Sequence, residues 1–324
     1  MLYVSVVIPM FNKENYIKRA IDSVFAQTYP YFEIIVVDDG STDNSLNIVK
    51  QLTDKRIRII STPHFGAAAA RNKGIEAAKA ELIAFLDGDD EWKPTFLETI
   101  LTLVKKYPAC GLYATSYEVH LPTRKILYPK LQSIPFLWEG VLPDYIENTL
   151  QDLPIISSAV VVRKQVFEQV GTFAIGEPLG EDQDMWLRIS RQYPISYYHK
   201  REAIYYRGLP NSVCINLSIL QPYPIFRTIK KMQQTPDDVP KHLENYLSKL
   251  YLDFVKRLLA AEELDQAYVY LKSCKANRYK GLKLQLYMVY FFKKGRTLLQ
   301  SLLSPCTAKQ SKNKPQKKIT TKNM

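Results

Sequence analysis

Short runs of apolar, β-branched residues alternate with segments of helical spacing over the first 110 residues. The runs have no polar face, which is typical of strands buried on both sides of a parallel sheet. Between them, apolar residues recur at the three- and four-residue spacing of amphipathic helices. The pattern predicts strands at 3–9, 33–37, 56–60 and 82–86, and helices at 14–27, 41–52 and 67–80.

This alternation of strand and helix, with short connections, predicts an α/β fold: a mixed, mostly parallel, Rossmann-like sheet flanked by helices. Sheets of this kind bind ligands in the crevice beyond the carboxyl ends of their strands. The residues that directly follow each strand are therefore the first candidates for chemistry.

Beyond residue 107 the pattern is looser, with strands predicted at 110–116 and 157–163 and a helix at 182–192. Five prolines between residues 122 and 154 predict a loop-rich insert, because proline interrupts helices. Helical spacing returns at 243–303, and the lysine-rich end is too polar to form a core. We expect a domain over 1–215, a helical basic region over 216–305 and a disordered basic tail over 306–324.

The composition excludes wholesale disorder, since 46% of the 324 residues are hydrophobic and 23% are charged. No run approaches the roughly 18 apolar residues of a membrane-spanning helix. The first residues lack a basic stretch followed by an apolar one, so we expect no secretory signal. The cysteines are too widely spaced for a metal site or a disulfide framework, which favours a reducing cytoplasm: Cys110, Cys214, Cys274 and Cys306.

Basic charge is concentrated at the carboxyl end. Residues 241–324 hold 18 Lys and Arg against 5 Asp and Glu, a net charge of +13, and no acidic residue follows Asp265. Apolar helical faces with basic flanks favour a helix lying on an anionic membrane surface, and equally a helical appendage packed on the rest of the protein. Nucleic-acid binding rests on charge alone, without a recognition motif, so we expect none.

Acidic residues follow the second predicted strand. The strand runs into Asp38, Asp39, Gly40 and Ser41. A glycine turn with a helix cap at Ser41 or Thr42 accounts for this segment as well as a binding role does.

The fourth predicted strand runs into Asp87, Gly88, Asp89 and Asp90. Three carboxylates so close together repel one another, so folding alone does not favour them. They become favourable with a bound divalent cation, because Mg²⁺ or Mn²⁺ held by one or two carboxylates completes its shell with phosphates and water. A solvated acidic loop is the competing interpretation.

A third acidic group, formed by Glu181, Asp182 and Asp184, begins the predicted helix at 182–192. Acidic residues stabilise a helix N-terminus through its dipole. A carboxylate in a cleft is equally a candidate general base.

Taken together, these segments resemble glycosyltransferase family 2, whose members bind nucleotide sugars on the GT-A fold. Each match is weak alone, but five in the same order and spacing are specific, and they span about residues 3–210. The resemblance implies a nucleotide-binding half at about 1–110 and an acceptor half at about 111–215. The matching segments are 5–12, 36–41, 66–74, 87–90 and 181–182.

The resemblance also implies roles in donor binding. Pro9 and Phe11 would line the nucleoside pocket, and Asp39 would accept a hydrogen bond from the imide N–H of uracil. Arg71 and Asp87 would contact the nucleotide, although a surface arginine is the competing interpretation for Arg71.

Two further roles concern the chemistry. Asp89 would be the direct ligand of Mn²⁺ or Mg²⁺, which would offset the diphosphate charge as the glycosidic bond breaks. Asp182 resembles the family's general base, which deprotonates an acceptor hydroxyl for a single displacement with inversion.

The sequence departs from the family pattern in two places. Many relatives carry a histidine shortly after a Tyr-Arg pair, near the metal, whereas here Leu209 follows Tyr206 and Arg207. His199 lies nearby, but a lone histidine on a strand is more often structural than a ligand. The Gln-x-x-Arg-Trp motif of processive synthases is also absent, so we expect transfer of one sugar per acceptor.

We therefore expect a metal-dependent inverting glycosyltransferase of the hexosyl or N-acetylhexosaminyl type. It would use a nucleotide-sugar donor, UDP-linked by the Asp39 argument, and a glycan or lipid-linked acceptor in cell-surface polysaccharide synthesis. It would act in the cytoplasm or at the inner face of the membrane. A nucleotidyltransferase would need a basic glycine-rich loop near the first strand, which residues 9–12 lack. A non-catalytic glycan- or nucleotide-binding protein on the same fold would not hydrolyse a donor.

Overall fold

The computed structural model describes residues 2–177, 179–210, 220–234, 239–275 and 278–303. Its first four strands are β1 (Val4–Met10), β2 (Phe32–Asp38), β3 (Ile57–Ser61) and β4 (Leu82–Phe85). They are parallel and adjacent, in the order β3, β2, β1, β4. Every residue of β1, β2 and β4 is buried, as their continuous apolar sequences predict.

Helices follow these strands: α1 (Ile17–Phe25), α2 (Ser45–Lys50), α3 (Ala67–Ala77) and α4 (Phe96–Lys106). Apolar residues of α1 and α4 pack on one face of the sheet, and those of α3 pack on the other. In α3, Gly74 lies directly against Val7 of β1, where a Cβ would come within 2.2 Å of Val7 Cγ1. The close approach of this helix to the sheet therefore requires glycine.

The sheet continues into the second half of the domain, and the described chain contributes ten strands to it. The added strands are β5 (Glu91–Trp92), β6 (Leu112–His120), β7 (Ile126–Leu127), β8 (Glu139–Val141), β9 (Val160–Arg163) and β10 (Ile195–Tyr206). Strand β9 is antiparallel to both β4 and β6, and β6 is parallel to β10, so the sheet is mixed. Strand β5 pairs with the end of β10 and anchors the segment that follows residues 87–90.

Three helices belong to this second half: α5 (Tyr145–Asn148), α6 (Lys164–Val170) and α7 (Glu181–Ser190). Helix α7 is fixed by aromatic packing, since the ring of Trp186 lies edge-on to Phe173 at 5.7 Å, and Phe173 lies edge-on to Phe85 of β4 at 5.4 Å. These contacts place the first turn of α7 beside the carboxyl end of β4.

Four helices follow: α8 (Pro224–Gln233), α9 (Leu243–Ala260), α10 (Leu264–Ser273) and α11 (Lys280–Leu303). The first half of α9 and the buried residues of α8 share the core that contains Trp186, whereas the second half of α9 forms a separate core with α10 and α11. Within the described residues, no helix combines the length and apolar character needed to cross a bilayer. The boundary predicted near 215 and the tail predicted at 306–324 lie outside the described residues.

The α/β fold and the six predicted strands are confirmed, except that Ser157–Ala159, at the start of the last one, form a 3-10 helix. The predicted cap at Ser41 or Thr42 is wrong. The described helix begins at Ser45, whose backbone N–H is capped by Asp43 Oδ1 at 3.0 Å. The segment before it is held as a loop, because Asn12 Oδ1 accepts a hydrogen bond from the backbone N–H of Thr42.

Candidate functional site

The loops that follow β1, β2 and β4 meet at the carboxyl edge of the sheet. The backbone N–H of Lys13 donates to Ser45 Oγ at 2.7 Å, which joins the first loop to the start of α2. The ammonium group of Lys13 forms an ion pair with Asp89, in the loop after β4. The acidic segments that the sequence separates by about fifty residues thus lie along one edge.

Asp39, directly after β2, is buried and its carboxylate is enclosed by the segment that follows β3. Oδ1 accepts hydrogen bonds from the backbone N–H of Phe65 at 2.9 Å and from the Thr62 hydroxyl at 3.4 Å. Oδ2 accepts from the backbone N–H of Gly66 at 2.8 Å and lies 2.8 Å from His64 Nδ1. Three hydrogen bonds and the His64 contact therefore surround a carboxylate that has about four acceptor positions.

An aromatic stack stands beside this carboxylate. The ring of Phe11, which is 37% exposed, lies parallel to the His64 imidazole with 3.9 Å between centroids. Pro9 is buried within β1, paired in register with Val37. Of the two predicted pocket residues, Phe11 therefore presents a ring at the surface and Pro9 lies in the sheet beneath it.

Arg71 is buried, so the interpretation of it as a surface arginine is wrong. Its guanidinium bridges two acidic segments, with Nη1 bonded to Glu181 and Nη2 bonded to Asp87, each at 2.7 Å. Burial alone would lower the pKa of Arg71, but the charges of Asp87 and Glu181 raise it above its ordinary value. Arg71 thus fixes the start of α7 to the loop after β4.

The three carboxylates of residues 87–90 point to different partners. Asp87 meets Arg71 and Asp89 meets Lys13. Asp90 turns inward, where it accepts a hydrogen bond from the Ser158 hydroxyl and another from the backbone N–H of Tyr206. Burial, followed by the charges of Asp89 and Asp87, raises the pKa of Asp90 well above its ordinary value. Its contacts make Asp90 a structural group that ties the loop to β10.

Asp87 and Asp89 supply oxygen ligands of the type that Mn²⁺ and Mg²⁺ prefer. Across the part of the chain that the structure describes, no third His, Cys, Asp or Glu converges with them at ligand spacing. A site with one or two carboxylates suits an ion whose remaining ligands are phosphate oxygens and water. The donor set therefore fits the expected metal.

The three acids at the start of α7 differ in their partners. Glu181 is paired with Arg71, and Asp184 is paired with Arg188 and the Thr228 hydroxyl. Asp182 has no ion pair within the described residues. Its Oδ1 accepts a hydrogen bond of 2.7 Å from the backbone N–H of the next residue in the helix.

The surroundings of Asp182 favour its protonated form. Burial raises the pKa of Asp182 to about 7, and the charge of Glu181 acts in the same direction, whereas Arg71 opposes it. A carboxyl group that titrates near neutral pH can both accept and release a proton under physiological conditions. This property makes Asp182 a candidate for proton transfer.

The histidine near the Tyr-Arg pair is structural. His199 is buried in β10, and its Nδ1 lies 2.9 Å from the carbonyl oxygen of Pro135. Leu209, where relatives carry the metal-side histidine, follows Gly208, whose φ of +83° turns the chain after β10. His199 therefore does not replace the missing ligand.

Two residues of this edge were missed by the sequence reasoning, His64 and Lys13. His64 lies three residues after β3, and of the strands β1 to β4 only β3 is followed by a loop without an acidic residue. Lys13 lies in a segment that was noted for Pro9 and Phe11. Both residues could have been found from their position after a parallel strand, if basic and aromatic residues had been considered there as well as acidic ones.

The sequence of residues 5–171, just over half of the chain, matches the family described as glycosyl transferase family 2. The chain belongs to this family. It is 28% identical over 301 residues to an uncharacterized glycosyltransferase of Haemophilus influenzae, an alignment that covers 81% of this chain and 93% of that protein.

A shorter alignment links the chain to a relative whose name states its reaction. WfgD of Escherichia coli is a UDP-Glc:alpha-D-GlcNAc-diphosphoundecaprenol beta-1,3-glucosyltransferase, and it is 36% identical over 138 residues. The alignment covers 40% of this chain and 54% of WfgD, so the chain matches about half of that relative.

A solved structure confirms the fold. S. aureus TarS 1–349, crystallised in complex with UDP-GlcNAc, superposes with a TM-score of 0.65 at 17% identity. The match covers 93% of this chain and 91% of that one. The predicted GT-A fold is therefore confirmed.

Proposed function

We propose that this glycosyltransferase transfers a single sugar from a UDP-linked donor to a glycan or lipid-linked glycan, with inversion at the anomeric carbon, in cell-surface polysaccharide synthesis. The observation that carries the proposal is the grouping of three kinds of residue at one sheet edge. They are a buried carboxylate beside an aromatic ring, an acidic loop, and a carboxylate with a pKa near neutrality.

The Asp39 region supplies the donor preference in this proposal. The imide N–H of uracil is a hydrogen-bond donor that suits a buried carboxylate, and the ring of Phe11 offers a surface for the base to stack on. The donor of WfgD and the ligand of the TarS crystal are both UDP-sugars, which supports the same choice here.

Asp89, with Asp87 beside it, would hold Mn²⁺ or Mg²⁺, and the bound cation would offset the charge that builds up on the departing diphosphate. Lys13 neutralises Asp89 in the structure, and Arg71 neutralises Asp87. These two ion pairs reduce the electrostatic repulsion among the carboxylates of the loop and hold them at the sheet edge.

Asp182 acts as the general base in the proposed reaction. Its carboxylate takes the proton of an acceptor hydroxyl, whose oxygen forms a bond to the anomeric carbon on the face opposite UDP. The bond from that carbon to the diphosphate oxygen breaks, and its electron pair leaves with UDP. One displacement of this kind inverts the anomeric configuration.

The relatives support a broader proposal for the acceptor and for the place of action. WfgD acts on a sugar linked to diphosphoundecaprenol, so a lipid-linked acceptor at the inner face of the membrane is our proposal for this chain. No processive-synthase motif occurs in the sequence, which supports the transfer of one sugar in each reaction.

Thermal unfolding in the presence of nucleotides tests the donor and metal assignments. With Mn²⁺ present, UDP should raise the Tm more than GDP or CDP, and Asp39→Ala should abolish that preference. Asp89→Ala should remain folded and lose the Mn²⁺-dependent part of the shift. The matched control is Asp22→Ala, an exposed carboxylate of α1. Equal shifts with all three nucleotides would rule out the uracil assignment.

A further inference from the structure

Helix α11 presents a large apolar face that no described part of the chain covers. Its inner face uses Leu286 and Tyr290 to close the core shared with α9 and α10. The opposite face exposes four large apolar side chains: Leu284 (62%), Met288 (58%), Phe291 (61%) and Phe292 (73%). At 100° per residue these four lie within about one third of the helix circumference, so they form a single stripe.

Exposed apolar residues are common singly, but a contiguous group on one helix marks an interaction surface. The stripe on α11 is also separate from the site at the sheet edge, because the helix contributes to a different hydrophobic core. A role in donor binding therefore does not explain it.

Basic residues flank the stripe. Lys280 precedes it and Arg296 follows it, and both are exposed. The Lys293 ammonium lies 3.7 Å from the carboxylate of Glu262, between α9 and α10, and the Lys294 ammonium lies 2.9 Å from that of Asp265, in the first turn of α10. No acidic residue occurs in the 59 positions after Asp265, whereas residues 304–324 add six lysines to the charge.

We propose that this stripe and its basic flanks, the α11 surface, bind the protein to an anionic lipid bilayer. Phenylalanine, leucine and methionine side chains enter the boundary between headgroups and acyl chains, while lysine and arginine meet anionic headgroups. Residues 304–324 are polar and lysine-rich in sequence. The charge of +13 over residues 241–324 matches an anionic surface and opposes close pairing with a second identical copy.

Co-sedimentation of the full-length protein with vesicles tests this proposal. The vesicles are equal parts phosphatidylglycerol and phosphatidylcholine, or phosphatidylcholine alone. We expect binding to the anionic vesicles that weakens as salt rises, and little binding to the neutral ones. Met288→Gln combined with Phe292→Gln should reduce the affinity about tenfold or more, because both side chains leave the apolar stripe.

Matched controls separate apolar insertion from general effects. Ile175→Gln removes a side chain that is 63% exposed in the loop before α7, and its affinity for vesicles should equal that of the wild type. Lys280→Gln with Arg296→Gln should flatten the salt dependence, whereas Lys18→Gln on α1 should not. All variants should keep the wild-type UDP affinity, which confirms that they are folded.

Three results would overturn the proposal. One is equal binding of wild type and the Met288/Phe292 variant, and another is no binding of wild type to anionic vesicles. The third is a concentration-dependent dimer in analytical ultracentrifugation that the same variant abolishes, since the stripe would then be covered by a second copy.

Discussion

Asp182 differs from its acidic neighbours in that no cation neutralises it within the described residues. Glu181 and Asp184 are each held by an arginine. Burial without a neutralising partner raises the pKa of a carboxyl group and makes its carboxylate a stronger base. The local partners therefore distinguish the proposed base from two acids that lie within two residues of it.

Asp182→Asn should change the pH dependence of stability in the unliganded protein. Aspartate in an unfolded chain ionises near pH 4, whereas burial raises the pKa of Asp182 to about 7 in the folded protein. Between these values only the folded state holds the proton, so the stability it contributes falls as the pH rises toward 7. Asparagine does not titrate, so the Tm of the variant relative to wild type should increase from about pH 5 to about pH 7 and then level off.

Thermal melts at a series of pH values provide this measurement. Asp22→Asn, at an exposed carboxylate, should show a nearly constant difference from wild type over the same range. A constant difference for Asp182→Asn as well would mean that Asp182 ionises at its ordinary pKa.

His64 gives a second prediction, because its imidazole already makes both contacts expected of a uracil base. It stacks on Phe11 and lies within hydrogen-bond distance of Asp39. A base that makes those contacts has to displace it. His64→Ala should therefore preserve or tighten UDP binding by calorimetry, in contrast to Asp39→Ala. Weaker binding by His64→Ala would mean that the imidazole contacts the bound base and is not displaced.

Much of the candidate site could be predicted from the sequence, because acidic residues that directly follow buried strands must meet at one sheet edge. Asp39, Asp87 and Asp89 were found in this way. What the sequence could not give was the pairing of charges across the site. Arg71 lies sixteen residues from Asp87 and 110 from Glu181, and only the folded sheet brings the three together.

At the scale of elements, the contact between Gly74 of α3 and Val7 of β1 sets the distance between this helix and the sheet. Gly74→Ala should lower the free energy of unfolding by about 1–3 kcal/mol, because the new methyl group overlaps Val7 in a fully packed core. Urea denaturation measures this change.

The matched control for Gly74 is Gly295→Ala. Gly295 lies in α11, where a Cβ would meet nothing within 4 Å. Alanine has the higher helix propensity, so this variant should be neutral or more stable by up to about 1 kcal/mol. A stable Gly74→Ala variant, or a loss of stability as large in Gly295→Ala, would contradict the conclusion that packing against β1 requires glycine at position 74.

Element positions followed well from hydrophobic spacing, since short continuous runs of β-branched apolar residues favour a buried strand over a helix. The errors occurred where tertiary contacts replace local signals. Helix α2 begins four residues later than predicted because Asn12, from another loop, holds the segment before it. The insert predicted as loop also contains β7, β8 and α5, short elements that form through pairing with β6 and β10 and through packing on α7 and α9.

At the scale of the whole molecule, part of the basic carboxyl-terminal region is packed on the domain, and membrane binding by α11 is the proposal made above. The first half of α9 is part of the core that contains Trp186, so this portion is a packed appendage. Helix α11 is packed on one side and exposes an apolar, basic-flanked face on the other. A helix can therefore be attached to the domain and still offer a surface to a membrane.

The proposed chemistry and the proposed membrane surface are independent at this scale. The site lies at the carboxyl ends of β1, β2 and β4, and the α11 surface belongs to a separate core. Loss of vesicle binding should leave donor binding intact, and loss of Asp182 should leave vesicle binding intact.

The measurement that tests the proposed function most directly is UDP release from a panel of UDP-hexoses and UDP-N-acetylhexosamines with Mn²⁺, using water as the acceptor. Wild type should release UDP from at least one donor, and Asp22→Asn should match it. Asp182→Asn should bind UDP with unchanged affinity. It should form UDP from the sugar donor about 10²–10⁴-fold more slowly, because asparagine cannot accept the proton of the attacking water. Near-normal release by Asp182→Asn, with Glu181→Gln inactive, would contradict the assignment of Asp182 as the base.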